Sequence, residues 1–240
     1  MRDNTKFLKG LEEWNISLNE QQLQQFEMYY DLLIQWNEVM NLTAITDYEE
    51  VIVKHFLDSL ALVKAGIDFK GKTLLDLGTG AGFPGIPLKI AFPELEILLV
   101  DSLNKRINFL NEVIAQLHLE GISAIHARAE ELGRKEEYRD SYDFCVSRAV
   151  ARLVSLAEYC MPFVKKGGYF IPYKSGKTPE ELAEAKYAIS VLGGKVEDTI
   201  SFELPDSEME RTLIVIRKGK ETPKAYPRAG GKPTKAPLIK

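Results

Sequence analysis

The chain has 240 residues and a formal net charge of −4, with 45% hydrophobic and 28% charged residues. This composition is ordinary for a globular protein and excludes a disordered or fibrous chain. The length allows one substantial domain with a small addition. No apolar run approaches the roughly 20 residues of a membrane-spanning helix, and we expect no signal peptide and no membrane partner.

Cysteine and histidine are few. Cys145 and Cys160 lie in or beside apolar segments, which favours buried thiols in a reducing compartment and predicts a cytoplasmic protein. His55, His118 and His126 do not cluster with other metal ligands, so we expect no metal site.

Residues 1–70 are predicted to form an N-terminal helical extension. Ser17 and Glu20 have the spacing of a capping box and predict a helix start there. A second helix is predicted over residues 48–65, where Gly66 stops it. One apolar stripe supports the first of these helices: Leu23, Phe26, Tyr30, Leu33 and Ile34.

The second predicted helix places three polar residues near one face. His55, Asp58 and Ser59 follow the i, i+3, i+4 spacing. They either line a ligand cleft or form an ordinary, partly solvated helix face, and spacing alone leaves both interpretations open.

Residues 71–217 alternate between strand and helix patterns, which predicts a parallel sheet with crossover helices. The predicted helices cover 84–91, 104–117, 153–164 and 179–192. The predicted strands cover 73–77, 95–100, 122–126, 142–147, 169–173, 200–204 and 211–217. The last two form an antiparallel hairpin, so the fold class is α/β: a Rossmann-like, mostly parallel seven-stranded sheet with an antiparallel last strand.

A glycine-rich turn follows the first strand. Gly78, Gly80 and Gly82 remove side chains from this turn, so a ligand can approach the backbone closely. A dinucleotide fingerprint beginning at Gly78 needs glycine at position 83, which is Phe83. The spacing of Asp76 and the three glycines instead resembles the motif of class I S-adenosylmethionine methyltransferases, whose cofactor has no phosphate.

An acid follows the second strand. Asp101 ends an apolar run 19 residues after Gly82, where a ribose-binding carboxylate is expected. The alternative is a glycine-rich turn with an unrelated acid at a strand end.

Sites in open parallel sheets lie at the carboxyl ends of strands, and polar or small residues follow five of the predicted strands. Ala129 is small enough for an adenine to lie flat against it, and Glu130 can accept from an amine. Glu130 and Arg148 alternatively pair with each other or cap helices. The residues are Gly78, Gly80 and Phe83; Asp101 and Ser102; Arg128, Ala129 and Glu130; Arg148; and Tyr173 and Lys174.

The C-terminal tail, residues 218–240, is basic. From Arg217 onward the chain carries eight basic residues and one acid, Glu221. The tail therefore either meets an anionic macromolecule or is a solvated, disordered end. The candidates for phosphate contacts are Arg152, Lys165, Lys166, Lys174 and Arg228.

Several motifs together resemble the bacterial RsmG family, formerly GidB, over nearly the whole chain. They are DLGTGAGFPG at 76–85, VDSLNKR at 100–106, RAE at 128–130, SRAVA at 147–151, WN at 36–37, NLT at 41–43, HFLDS at 55–59 and YPR at 226–228. The resemblance implies methylation of N7 of one guanosine in the decoding region of 16S rRNA, with S-adenosylmethionine as the cofactor. It implies a cofactor site made by Gly78, Phe83, Ala129, Glu130 and Arg148, with Asp101 on the ribose.

Guanine N7 has an in-plane lone pair outside Watson–Crick pairing, so such a reaction needs no strong general base. We expect in-line methyl transfer in which Arg148 positions cofactor and RNA, acting on 16S rRNA or the small subunit as a monomer. Three alternatives stay open: a methyltransferase acting on a protein or small molecule, a nicotinamide oxidoreductase, and an RNA-binding or assembly factor without turnover.

Overall fold

A seven-stranded sheet forms the centre of the protein, seen here in a computed structural model that describes residues 2–148, 151–176 and 178–240. Positions 149 and 150 of the SRAVA motif lie outside this range. The strand order is β3-β2-β1-β4-β5-β7-β6, and β7 runs antiparallel to both neighbours. The predicted fold class is confirmed. The strands are β1 Thr73–Leu77, β2 Glu96–Asp101, β3 Ile122–His126, β4 Tyr142–Arg148, β5 Val164–Lys174, β6 Gly194–Glu203 and β7 Glu210–Lys218.

Helices cover both faces of the sheet. Along β1, Leu74 belongs to one hydrophobic core and Leu75 to the other, as the alternation of side chains in a strand requires. None of these helices is long and apolar enough to cross a membrane within the described residues. The helices are α1 Thr5–Glu13, α2 Glu20–Met40, α3 Tyr48–Val51, α4 Asp58–Leu60, α5 Gly85–Ala91, α6 Asn104–Gln116, α7 Ala129–Leu132, α8 Leu153–Cys160, α9 Thr178–Val191 and α10 Lys232–Lys235.

The N-terminal helices share a core with one face of the sheet. Phe7, Phe26 and Phe56 pack in the same buried cluster as Leu74 of β1 and Phe109 of α6. The extension therefore lies against the sheet as part of one hydrophobic core.

Two predicted helix details in this region are wrong. The helix cap is Asn19, whose side chain accepts from the Gln22 N–H at 2.9 Å while Gln22 accepts from the Asn19 N–H. Ser17 lies two residues too early because an asparagine followed by glutamine forms the same reciprocal box. The predicted second helix is interrupted: a π-helical segment, Ile52–Leu57, joins α3 to α4, and a 3₁₀ segment, Ala61–Ala65, ends at left-handed Gly66.

Predicted boundaries near β5 and β6 also differ from the structure. α8 ends at Cys160, and β5 begins at Val164, which pairs with Tyr142. The apolar run around Phe163 fits a buried helix or a buried strand equally, which is why periodicity misplaced this boundary. β6 begins at Gly194 and not at 200. Its first half is polar and mostly exposed because β6 is an edge strand, so no apolar run marks where it begins.

Candidate active site

A cleft of about 620 Å³ opens at the carboxyl edge of the sheet. The strand order reverses between β1 and β4, and open α/β sheets bind ligands at this switch point. The cleft is lined by Leu42, Thr43, His55, Leu77, Gly78, Thr79, Gly80, Ala81, Phe83, Val100, Asp101, Ser102, Arg106, Ala127, Arg128, Ala129, Glu130, Arg148, Tyr159 and Gly231.

The glycine turn presents bare main chain to this cleft. The N–H of Gly78 donates to the Val100 carbonyl at 2.8 Å and fixes the turn against β2. Gly80 has a left-handed φ of +63°, and a Cβ there would face open space. Glycine adopts this conformation without the strain that most side chains would cause, so the chain keeps an open strip of backbone at the end of β1.

Asp76 shapes the turn from behind. One carboxylate oxygen accepts from the Thr79 hydroxyl at 2.7 Å and from the Gly85 N–H at 2.8 Å, and the other has no hydrogen-bond partner among the described residues. Burial raises the pKa of Asp76 to about 6, opposed by these hydrogen bonds. Asp76 does not line the cleft. Its hydrogen bonds support the glycine turn, which does.

Changing Gly85 tests how tightly this turn is packed. A Cβ at Gly85 would overlap Leu99 and approach the Asp76 carboxylate at 2.9 Å, and all three residues are buried. We therefore expect Gly85→Ala to lower the free energy of unfolding by about 2 kcal/mol, measured by urea denaturation. Gly66→Asn is the control, because its Cβ meets open space and asparagine tolerates the left-handed backbone. Equal stability of the two variants would contradict the tight packing.

Asp101 places a buried carboxylate at the edge of the cleft. Its side chain is 2% exposed and accepts from the N–H groups of Gly80 at 3.0 Å and Leu103 at 2.9 Å. Arg106 forms an ion pair with the same carboxylate at 3.1 Å. Asp101 thus connects the glycine turn of β1 with the end of β2 and offers acceptor oxygens beside open main chain.

A further part of the cleft lining comes from α7. Ala129 presents a small side chain, and Glu130 is buried in the cleft wall in the first turn of α7. Ser102 lines the cleft beside Asp101. Glu130 and Arg148 do not pair with each other among the described residues, so that alternative is wrong; Arg148 is engaged elsewhere.

Arg148, the last residue of β4, forms a network with the π-helical segment. Its guanidinium donates to the Lys54 carbonyl and the Asp58 carboxylate, each at 3.1 Å, and lies 3.3 Å from Nδ1 of His55. It also lies over the Phe83 ring, 4.9 Å from the centroid. Lys54 and His55 belong to the π-helical segment, and Asp58 follows it directly at the start of α4.

His55 packs against the ring of Phe83 with centroids 4.5 Å apart. Nδ1 of His55 also lies 3.1 Å from the Lys54 carbonyl, and Nε2 lies 2.8 Å from the Thr43 hydroxyl, so both ring nitrogens have polar partners. Burial, together with the charge of Arg148, lowers the pKa of His55 from 6.5 to about 3. Of the three polar residues on this predicted helix, only His55 lines the cleft. Asp58 lies behind Arg148, and Ser59 is buried and donates to the His55 carbonyl.

The neutral His55 predicts acid sensitivity of the fold. Its pKa is lower in the folded than in the unfolded chain, so this contribution to stability is complete above pH 6.5 and is lost as the pH falls towards 3. Between pH 6.5 and 3, we expect the unfolding free energy of His55→Gln to fall by roughly 3 kcal/mol less than that of the natural chain. His118→Asn, at an exposed left-handed position, is the control. Parallel pH profiles of denaturation for the natural and His55→Gln chains would contradict this assignment.

Comparison with known proteins identifies the family. The model of the family described as "GidB: rRNA small subunit methyltransferase G" matches residues 22–213. The chain belongs to this family. It is 68% identical to the ribosomal RNA small subunit methyltransferase G of Lachnoclostridium phytofermentans, with 100% of this chain and 99% of the relative covered. The corresponding protein of Acetivibrio thermocellus is 52% identical over 96% of this chain and 95% of the relative.

Solved methyltransferase structures share the fold at low identity. TrmN from Thermus thermophilus aligns with a TM-score of 0.54 and 18% identity over 68% of this chain and 48% of that chain. A SAM dependent methyltransferase from Aquifex aeolicus aligns with a TM-score of 0.52 and 18% identity, covering 71% and 93% of the two chains. This GidB family member is a methyltransferase that uses S-adenosylmethionine.

The residues of the cleft fit that cofactor. The bare main chain at Gly80 leaves room for a ligand without phosphates, and the carboxylates of Asp101 and Glu130 match the hydroxyl and amine donors of an adenosine. Ala129 leaves space for a flat base. Thus Gly78, Gly80, Phe83, Asp101, Ser102, Ala129, Glu130 and Arg148, each predicted from the sequence, all lie in one cleft.

The predicted phosphate contacts are dispersed in this GidB family member. Lys174 donates to the Ala151 carbonyl and to Glu181, and Arg152 pairs with Glu184. Arg228 pairs with buried Glu158. Lys165 and Lys166 lie near the beginning of β5, at the amino edge of the sheet and away from the cleft. Lys165 pairs with Asp143 there.

The cleft residues that were not predicted as site residues include Thr43, Arg106, Tyr159 and Gly231. Arg106 carries a local signal, since a basic residue on the first turn of the helix after Asp101 can reach back to that carboxylate. No sequence pattern around Tyr159 or Gly231 marks them as site residues. The two come together at the cleft because the C-terminal segment packs on α8.

Proposed function

We propose that this enzyme methylates N7 of a specific guanosine in the decoding region of 16S rRNA, as part of the small ribosomal subunit or its precursor RNA. The observation that carries the proposal is the 68% identity, over the whole chain, to a protein named as a small-subunit rRNA methyltransferase. Residues from six of the resembling motifs, among them Gly80, Asp101, Glu130, Arg148 and His55, also line one cleft, as a single substrate and cofactor site requires.

The cofactor is held by residues from three strand ends. We propose that the main chain at Gly78 and Gly80, with Phe83 behind it, holds the methionine end, and that Asp101 and Ser102 bind the ribose. Ala129 and Glu130 then hold the adenine. When bound, S-adenosylmethionine supplies an electrophilic methyl group on a sulfonium.

The mechanism we propose needs no general base. The N7 lone pair of guanine is free before reaction, so no proton has to leave first. His55 is neutral, but both ring nitrogens already have partners. The residues of the cleft therefore act by holding the guanine in line with the methyl group, and positioning of this kind is worth roughly 7–11 kcal/mol.

Arg148 is the candidate positioning residue. Asp58 holds its guanidinium from behind, and its side chain is 13% exposed at the cleft wall. A fixed guanidinium there can orient a guanine or an RNA phosphate without moving during the reaction.

Further expectations concern the oligomeric state, the location and the salt dependence of the enzyme. We propose that the enzyme acts as a monomer and in the cytoplasm, together with its ribosomal substrate. Phosphate contacts make RNA affinity salt-dependent, so binding is expected to weaken steeply between 50 and 200 mM salt, by about 10³-fold if six phosphates are contacted.

The test is to incubate purified 16S rRNA and small subunits separately with radiolabelled S-adenosylmethionine and the enzyme. The proposal predicts label at a single guanosine, which borohydride and aniline cleave as N7-methylguanine. Label at another atom, or on a protein or small molecule, would refute the N7 assignment. Cofactor binding without transfer to either RNA would favour an assembly factor.

A further inference from the structure

The C-terminal segment of the chain folds back over the domain. Residues 222–235, here called the C-terminal strap, run across α7 and α8 and end at α10. The strap lies beyond the region matched by the family model, which ends at residue 213. Its Thr222, Pro227 and Pro233 are buried, so the strap is packed and is not a solvated arm.

Arginines of the loop after α7 bind the strap through its carbonyls. Arg139 donates to the carbonyls of Thr222 at 2.6 Å and Tyr226 at 2.9 Å, and Arg134 donates twice to that of Pro227, at 2.7 and 3.0 Å. These bonds fix the strap beside Gly133, the C-cap of α7, where an added Cβ would lie 3.2 Å from the Pro227 ring.

The strongest anchor is the pair of Arg228 and Glu158. The Glu158 side chain is 1% exposed and accepts from the Arg228 guanidinium at 2.7 and 2.9 Å and from its main-chain N–H at 2.8 Å. The same guanidinium reaches the Ala236 carbonyl at 2.9 Å. A buried carboxylate satisfied this fully ties the middle of the strap to α8.

The strap then reaches the cleft. Gly231 lines it together with Tyr159 of α8, whose hydroxyl lies 3.2 Å from that of Thr234. These residues line the same cleft as Ala129 and Glu130 of α7, a helix that contacts α8. The adenine side of the proposed cofactor site is therefore built partly from the far end of the chain.

We propose that the C-terminal strap is a cofactor-binding element, with Arg228 and Glu158 as its positioning pair. The strap holds α7 in place and forms the rim of the adenine pocket at Gly231. Arg228 then serves cofactor affinity first, in contrast to the RNA-phosphate role expected for it from the sequence. The inference rests on S-adenosylmethionine occupying this cleft.

Adjacent glycines supply a matched test of the rim. Gly230 and Gly231 share a φ of +69°, and neither has close neighbours that block a Cβ, but only Gly231 lines the cleft. Asparagine tolerates this backbone at both positions. We expect Gly231→Asn to raise the Kd for S-adenosylmethionine about tenfold by calorimetry, with Gly230→Asn within twofold of the natural chain. Equal affinities of the two variants would overturn the proposal.

The anchor is tested by Arg228→Gln against Lys224→Gln, which removes the same charge from an exposed position of the strap. Arg228→Gln is expected to raise the cofactor Kd and KM about tenfold while the salt slope of rRNA binding stays unchanged, and Glu158→Gln in the same chain is expected to restore part of that loss. Unchanged cofactor affinity with a salt slope reduced by about one would instead make Arg228 a phosphate contact and refute the proposal.

These results separate two failures. If the natural chain does not bind S-adenosylmethionine, the proposed function fails. If the natural chain binds it and all strap variants bind equally well at an unchanged melting temperature, the strap proposal alone fails.

Discussion

Asp101→Asn is expected to raise the Kd for S-adenosylmethionine about 100-fold with little change in overall fold. Both Asp101 oxygens accept from main-chain N–H groups, those of Gly80 and Leu103. An amide places its NH₂ group against one of these donors and removes the charge that would bind ribose hydroxyls. Isothermal titration calorimetry measures the change, with circular dichroism to confirm folding.

The matched control is Asp143→Asn. Asp143 also accepts from a main-chain N–H, that of Thr73, and pairs with Lys165, but it lies at the amino edge of the sheet. We expect a comparable small loss of stability without loss of cofactor affinity. If Asp101→Asn bound the cofactor within threefold of the natural chain, Asp101 would not be the ribose acceptor.

Arg148→Ala is expected to reduce kcat/KM for rRNA methylation by about 10²–10³-fold. The substitution removes the cation held over Phe83 and takes one donor away from the Lys54 carbonyl, which keeps its contact with Nδ1 of His55. Asp58 keeps one partner, Arg211 at 3.1 Å, so the protein is expected to fold with a loss of about 2 kcal/mol. Single-turnover kinetics with labelled cofactor measure the rate.

Two variants separate positioning from stability. Arg148→Lys keeps the charge but cannot send donors to Lys54, His55 and Asp58 at once, so we expect it to stay at least about tenfold impaired. Arg211→Ala breaks the other ion pair of Asp58 outside the cleft lining. It is expected to lose similar stability with kcat/KM within fivefold. If Arg211→Ala lost as much activity as Arg148→Ala, the role of Arg148 would be structural.

The sequence predicts the part of the site that follows strand ends. Gly80 and Asp101 come at the ends of buried apolar strands and Glu130 follows the partly exposed β3, and parallel strands bring their carboxyl ends to one edge whatever the helices between them do. The antiparallel direction of the last hairpin is also predicted, because only six residues join its two predicted strands. Local pattern and general topology rules carry these results.

Other features depend on contacts between distant segments. The pairing of Arg148 with Asp58 joins residues 90 positions apart through a π-helical turn, for which the apolar periodicity gives no sign. The tail reads as a free basic arm because charge alone does not show that Glu158, buried on α8, takes up Arg228. In both places a charged side chain is satisfied by a partner that only the folded chain provides.

The most direct test is a crystal structure of the natural chain with S-adenosylhomocysteine. The account predicts the adenosine between Asp101 and Ala129 and the amino-acid end against the main chain at Gly78 and Gly80. Ligand density elsewhere, or no binding by crystals and calorimetry while the protein is folded, would contradict it.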